Sequence, residues 1–247
     1  MGLFIHDDPE YDINVRQTGF NRYKQLLSLH AGHWMCLNLA TVAGALPLAA
    51  GIAYSILTSS VLVLLPCSVL GGMIFGPFLA GMYDAVLRGL RDDPQNWRKN
   101  YRLSWKQNWK DSLLPGALLG LLAGVYSFMA CLFWWSQRPV GTGTVALYLF
   151  SMLVFLMFCT LYWPQVVLFR QTVGNRLRNV FLFAIKYLWR VLGAAALQMA
   201  YGLVMVLFAP WTLLLIPVLG FWYILFLSQL IIYADLEEAF HIEGTPG

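Results

Sequence analysis

His30 and His33 stand three residues apart, a spacing at which one helix face can offer two imidazoles to a metal. No third ligand is evident nearby, so interfacial histidines are the expectation and no metal is assigned. Asp84 lies one turn before Arg88 and is expected to pair with it. Cys36, Cys67, Cys131 and Cys159 all fall inside apolar runs. They read as reduced, buried small side chains and not as a disulfide framework. There is no Walker lysine loop, no His-Glu-x-x-His, no Gly-x-Ser-x-Gly and no Cys-x-x-Cys. Catalysis would need paired acids, a nucleophile with its base, or a metal cluster. The expectation is a protein that is not an enzyme and holds no cofactor.

Other polar residues interrupt long apolar stretches. Asn38, Gln165, Gln198 and Gln229 are of this kind. Each is expected to hydrogen-bond across helices, and together they are candidates for lining a cavity that takes a neutral solute. Pro164 frees a carbonyl within its helix, which Gln165 is expected to satisfy.

The elements that position these residues follow from composition. Of 247 residues, 59% are apolar and 11% charged, against roughly 45–50% and 25% in soluble domains. The apolar runs exceed the ~20 residues that cross a bilayer as a helix. A water-soluble enzyme and a disordered chain are both excluded. Because every backbone amide in a bilayer must be paired, the fold class is an all-α membrane protein. Six transmembrane helices are expected, over residues 34–57, 61–87, 113–135, 145–169, 191–209 and 212–233. The last two are separated at Ala209-Pro210-Trp211. A segment with an amphipathic helix precedes them (1–33) and an acidic tail follows (234–247).

Cationic side chains set the orientation. Residues 1–33 carry three, 88–112 seven and 170–190 five, leaving only Arg138 for the other side. Fifteen of sixteen therefore face the cytoplasm if both termini are cytoplasmic. The first 33 residues are polar and open on an acidic cluster, so no signal peptide is expected.

Residues 96–112 repeat every four. Asn96, Asn100, Ser104, Asn108 and Ser112 form one column, Trp97, Tyr101, Trp105 and Trp109 the next, and Arg98, Arg102, Lys106 and Lys110 the third. A spacing of four makes a slowly winding helical ridge. The pattern predicts a basic amphipathic helix over 94–112, lying in the membrane plane on the cytoplasmic side, with Asp92-Asp93 as its cap. A second in-plane helix is expected over 174–190. The same aromatic and cationic residues are candidates for docking a protein partner; nucleic acid is not an expected partner. Gly116, Gly120 and Gly124, like Gly72, Gly76 and Ala80, recur every four residues and predict close helix packing, within the protomer or in a homo-oligomer.

Leu37-Asn38-Leu39 with Pro47 downstream, Gly76-Pro77-Phe78-Leu79-Ala80-Gly81-Met82-Tyr83 and the run Trp105–Lys110 occur in an order that resembles the YesL family. That family comprises small multi-pass membrane proteins of Gram-positive bacteria. The resemblance covers about residues 25–125. It implies a bacterial plasma membrane and an association with carbohydrate transport. The expected function is then an accessory or scaffold protein beside a transporter subunit, with a small permease or channel for a neutral solute as the alternative.

Overall fold

The computed structural model describes residues 16–93, 96–135 and 140–243, and among these there is no strand. Seven α-helices follow in order: α1 Gly19–Leu57, α2 Val61–Leu90, α3 Trp97–Trp135, α4 Thr142–Leu168, α5 Val173–Lys186, α6 Leu188–Leu207 and α7 Gly220–Phe240. A short 3-10 helix, Trp211–Leu214, lies between α6 and α7. Helices α1, α2, α3, α4 and α6 are long and apolar enough to cross a membrane.

Three expected boundaries differ. The basic segment 94–112 and the span 113–135 are one helix, α3, and the N-terminal amphipathic segment likewise runs straight into α1. Polarity marks where lipid ends, but helices stop at caps and breakers, and none stands between Ser112 and Leu113. The basic half of α3 therefore continues along α2 instead of forming a separate in-plane helix. The third difference is the expected span 212–233. The chain is irregular up to Leu219, and α7 continues to Phe240, past the expected start of the acidic tail at 234. Apart from the 3-10 turn, only residues 220–233 of that span are α-helical, a rise of about 21 Å against ~30 Å of hydrocarbon. The break at 209–211 and the separate helix near 174–190 are present, although the latter ends at Lys186 and residues 188–190 begin α6.

Helices α2 and α3 run antiparallel with their small-residue columns in register. A Cβ on Gly72 would meet the Gly116 carbonyl, and one on Gly116 would stand 2.5 Å from the Gly72 carbonyl. Gly120 is similarly closed by Ser68 and Gly72, and Gly124 by Ser68. Farther along, Gly76 faces Ser112 and Gly81 faces the Tyr101 ring. Ser104, Ser112, Gly116, Gly120 and Gly124 are the buried residues of α3. The Asn/Ser column and the glycine column are thus one seam, spanning the expected boundary at 113.

The buried core lies toward the charged end. Trp34 packs on Trp222 and Phe226, Tyr83 stacks on Trp163, and Phe183 on Phe240. At the other end Leu57, Leu62, Trp134, Leu147 and Leu207 are largely exposed, as suits surfaces facing acyl chains.

Ion pairs join the ends of the helices. Arg16 reaches Glu243 at 2.6 Å and Asp92 at 3.7 Å, bringing the two ends of the described chain together. Arg22, buried, donates to Leu90 O at 3.0 Å and to Asp92 at 2.8 Å, so it caps the C-terminus of α2. Arg176 does the same for α4 through Phe169 O (3.3 Å) while pairing with Asp111 of α3 at 2.9 Å.

Candidate interaction face and polar clusters

The basic half of α3 opens with Asn96, whose Oδ1 accepts from Lys99 N at 3.5 Å. Asp92 and Asp93, expected as the cap, are instead paired with Arg16, Arg22, Arg88 and Arg91. Burial of the Asn/Ser seam against α2 fixes the rotation of the helix. The aromatic column then lies at the edge of the contact. Trp97 stacks on His33 of α1 (5.8 Å between centroids), Tyr101 covers Gly81, and Trp105 meets Phe78 edge-on at 6.5 Å. Trp105 and Trp109 remain about two-fifths exposed.

The cationic column points outward. Arg98, Arg102, Lys106 and Lys110, with Lys99, are exposed, and none forms an ion pair among the described residues. Arg98 lies over the Trp97 ring at 4.9 Å and Lys110 over Trp109 at 5.7 Å, which holds both cations against the helix without neutralising them. Arg98, Lys99, Arg102 and Lys106 border an open hollow on this face. The face therefore offers a row of guanidinium and ammonium donors on a rigid support, suited to carboxylates or phosphates.

Beside Trp97 is a small cavity of about 10 Å³ lined also by His33, Trp34, Asp84, Arg88, Asn100 and Tyr101, roughly the room one water needs. Asp84 is buried and accepts from Arg88 Nε at 2.9 Å, the i,i+4 pair expected from the sequence. His33 Nδ1 is buried with no partner. His33 thus faces α3 through Trp97; no group of three His, Cys, Asp or Glu side chains placed to hold a metal occurs among the described residues.

The four candidate cavity residues fall in two places. Asn38 sits at the start of α7. Its Nδ2 donates to Ile216 O and Pro217 O (2.9 Å each), and its Oδ1 accepts from Phe221 N at 2.9 Å and Trp222 N at 3.4 Å. Every bond its amide can offer is thereby committed to backbone. The glutamines gather around Thr160 of α4. Gln198 of α6 donates to Thr160 Oγ1 at 2.8 Å, and Gln229 of α7 donates to Thr160 O at 3.1 Å. Gln165 donates to Leu161 O at 3.2 Å. The carbonyl that Pro164 releases is that of Thr160, four residues earlier, so Gln229 satisfies it and not Gln165. Both Gln165 Oε1 and Gln229 Oε1 are buried without a partner.

In the sequence Arg22, Arg176 and the Asn/Ser column do not stand out as structural residues. The column had a visible signal: its register continues unbroken from Asn96 through Gly124. The two arginines had none, because a capping arginine and a solvated one look alike in sequence. No family model, no curated protein and no solved structure matches this chain.

Proposed function

We propose that the chain is a non-catalytic scaffold of a bacterial plasma membrane, with both ends cytoplasmic, that holds a companion through the cationic face of α3. The observation that carries this reading is the division among its cations. Arg22 and Arg176 are consumed in capping helix ends, and Arg91 is buried beside Asp93 at 2.8 Å. Arg98, Lys99, Arg102, Lys106 and Lys110 are left exposed on one rigid face. Solvated charges need no such support, whereas a docking site gains from it, since little conformational freedom is lost on binding. The concentration of cations on one side of the apolar helices supports the cytoplasmic placement. The resemblance to the YesL family points to a carbohydrate transporter as the companion.

Charge reversal tests the reading. Native-membrane cross-linking is performed with the parent and with Arg98→Glu, Arg102→Glu, Lys106→Glu combined. Loss of a cross-linked companion with membrane integration intact is the expected result. An unchanged cross-linking pattern would remove the support. A second reading, a permease for a neutral solute, draws on the unpartnered Oε1 atoms of Gln165 and Gln229. It expects solute flux from the reconstituted chain alone, abolished by Gln165→Leu.

A further inference from the structure

The connection between α6 and α7 is unlike a water-exposed loop in composition. Between Arg190 and Asp235 the sequence has no charged residue. Its turn, residues 208–219, exposes Phe208, Trp211, Leu213 and Leu214. The first two connections on the same side, Thr58-Ser59-Ser60 and 136–144 with Arg138, are polar.

The feet of this hairpin are pinned at one level. Arg190 Nη1 meets Asp235 Oδ1 at 2.6 Å, and Lys186 Nζ meets Glu238 Oε1 at 3.0 Å. From Arg190 to Leu207 α6 rises about 26 Å, and from Asp235 back to Gly220 α7 rises about 22 Å. A hydrocarbon core is about 30 Å thick. With charged feet in the headgroups, both helices end short of the far surface, which leaves the turn at the depth of the far leaflet.

Irregular backbone in hydrocarbon is excluded unless its polar groups are satisfied internally. Here they largely are. Eight amides between Phe208 and Leu219 bond to carbonyls of residues 204–215, and Pro210 and Pro217 have no amide to satisfy. The Thr212 hydroxyl, the one hydroxyl of the turn, donates to Met205 O at 2.5 Å. Asn38 takes the carbonyls of Ile216 and Pro217 and the amides of Phe221 and Trp222.

We propose that residues 208–219 form a re-entrant turn immersed among acyl chains of the far leaflet, so that α6 and α7 enter and leave the bilayer on the same side. The occupant of the exposed apolar surface is lipid, continuous with the lipid that covers Leu203 and Val204 on α6. The proposal does not depend on the docking role of α3.

The test is spin labelling of the full chain in liposomes, with the four native cysteines replaced by alanine. Labels are placed at Leu214→Cys and Leu213→Cys, with Leu203→Cys and Gly141→Cys as lipid and water references. Collision with oxygen over a water-soluble nickel chelate should match the Leu203 reference at both turn positions. A ratio matching Gly141 would overturn the proposal by placing the turn in water. So would spin–spin broadening at Leu214 that vanishes on dilution with unlabelled protein, which would make a second copy the occupant.

Discussion

The carbonyl of Thr160, left without a helical donor by Pro164, is met at 3.1 Å by the side-chain amide of Gln229 from α7. One backbone irregularity in α4 thereby fixes the register of another helix, in a region where few polar contacts are available to do so.

Gln229→Leu should strip that carbonyl of its partner and lower stability by about 1 kcal/mol, the usual worth of such a bond. Pro164→Ala restores the helical donor, so the same leucine substitution in that background should have a smaller effect. Unfolding titrations of the four proteins in mixed micelles give the coupling directly. Equal losses in both backgrounds would separate Gln229 from the proline.

Gly72→Ala should destabilise the α2–α3 seam by about 1–3 kcal/mol, because the added carbon meets the backbone of Gly116 and Gly120 and neither can yield. Gly193→Ala lies in open space within α6 and should stabilise by about 0.5–1 kcal/mol through helix propensity. Thermal melts of the two variants should shift in opposite directions.

Asn38→Leu removes four hydrogen bonds at the start of α7. At about 1 kcal/mol for each bond, the amides of Phe221 and Trp222 should exchange more than tenfold faster. Amides in the α2–α3 seam around Gly116, Gly120 and Gly124, to which Asn38 makes no hydrogen bond, should keep their protection. Exchange followed by mass spectrometry distinguishes the two regions.

The clasp between the chain ends should open in acid. Hydrogen bonding to Arg16 holds the Glu243 carboxyl below the usual carboxylate range, and Tyr233, donating at 2.8 Å, acts in the same direction. A lowered carboxyl contributes stability that is full above its ordinary pKa and is lost as pH falls through the lowered value. Arg16 stays charged throughout. Order at residues 16–22, followed by amide exchange, should therefore be flat near neutrality and fall only below the ordinary glutamate range. Glu243→Gln should abolish that acid step.

The helical, bilayer-length character of the chain was legible because apolar runs and the exclusion of charge report directly on solvent. Helix ends were less so. The division at residue 113 followed polarity, yet the backbone of Ser112 and Leu113 has no reason to stop, and the seam that joins both halves is read only by following one register through Asn108, Ser112 and Gly116. The expected sixth span departs from the structure over 212–219 for a complementary reason. Hydropathy counts an apolar turn and an apolar helix alike, and the residue that stabilises this turn, Asn38, lies 178 positions away from Ile216. The α3 side chains Trp97 and Tyr101 share a column visible in the sequence, but their contacts with His33 and Gly81 depend on tertiary packing that no local pattern encodes.

Concentrating the tight interior beside the ionic clasp leaves the opposite half of the molecule with few buried large side chains, its aromatic contacts being those of Tyr126, Phe133, Tyr148 and Phe155 between α3 and α4. Leu57, Leu62, Trp134 and Leu207 can lean or tilt without disturbing Trp34, Tyr83 or Trp163. Such a molecule accommodates thinner or thicker bilayers by splaying its lipid-facing tips while its base keeps one geometry. A surface carried on that base, such as the cationic ridge, would be presented identically whatever the membrane's composition.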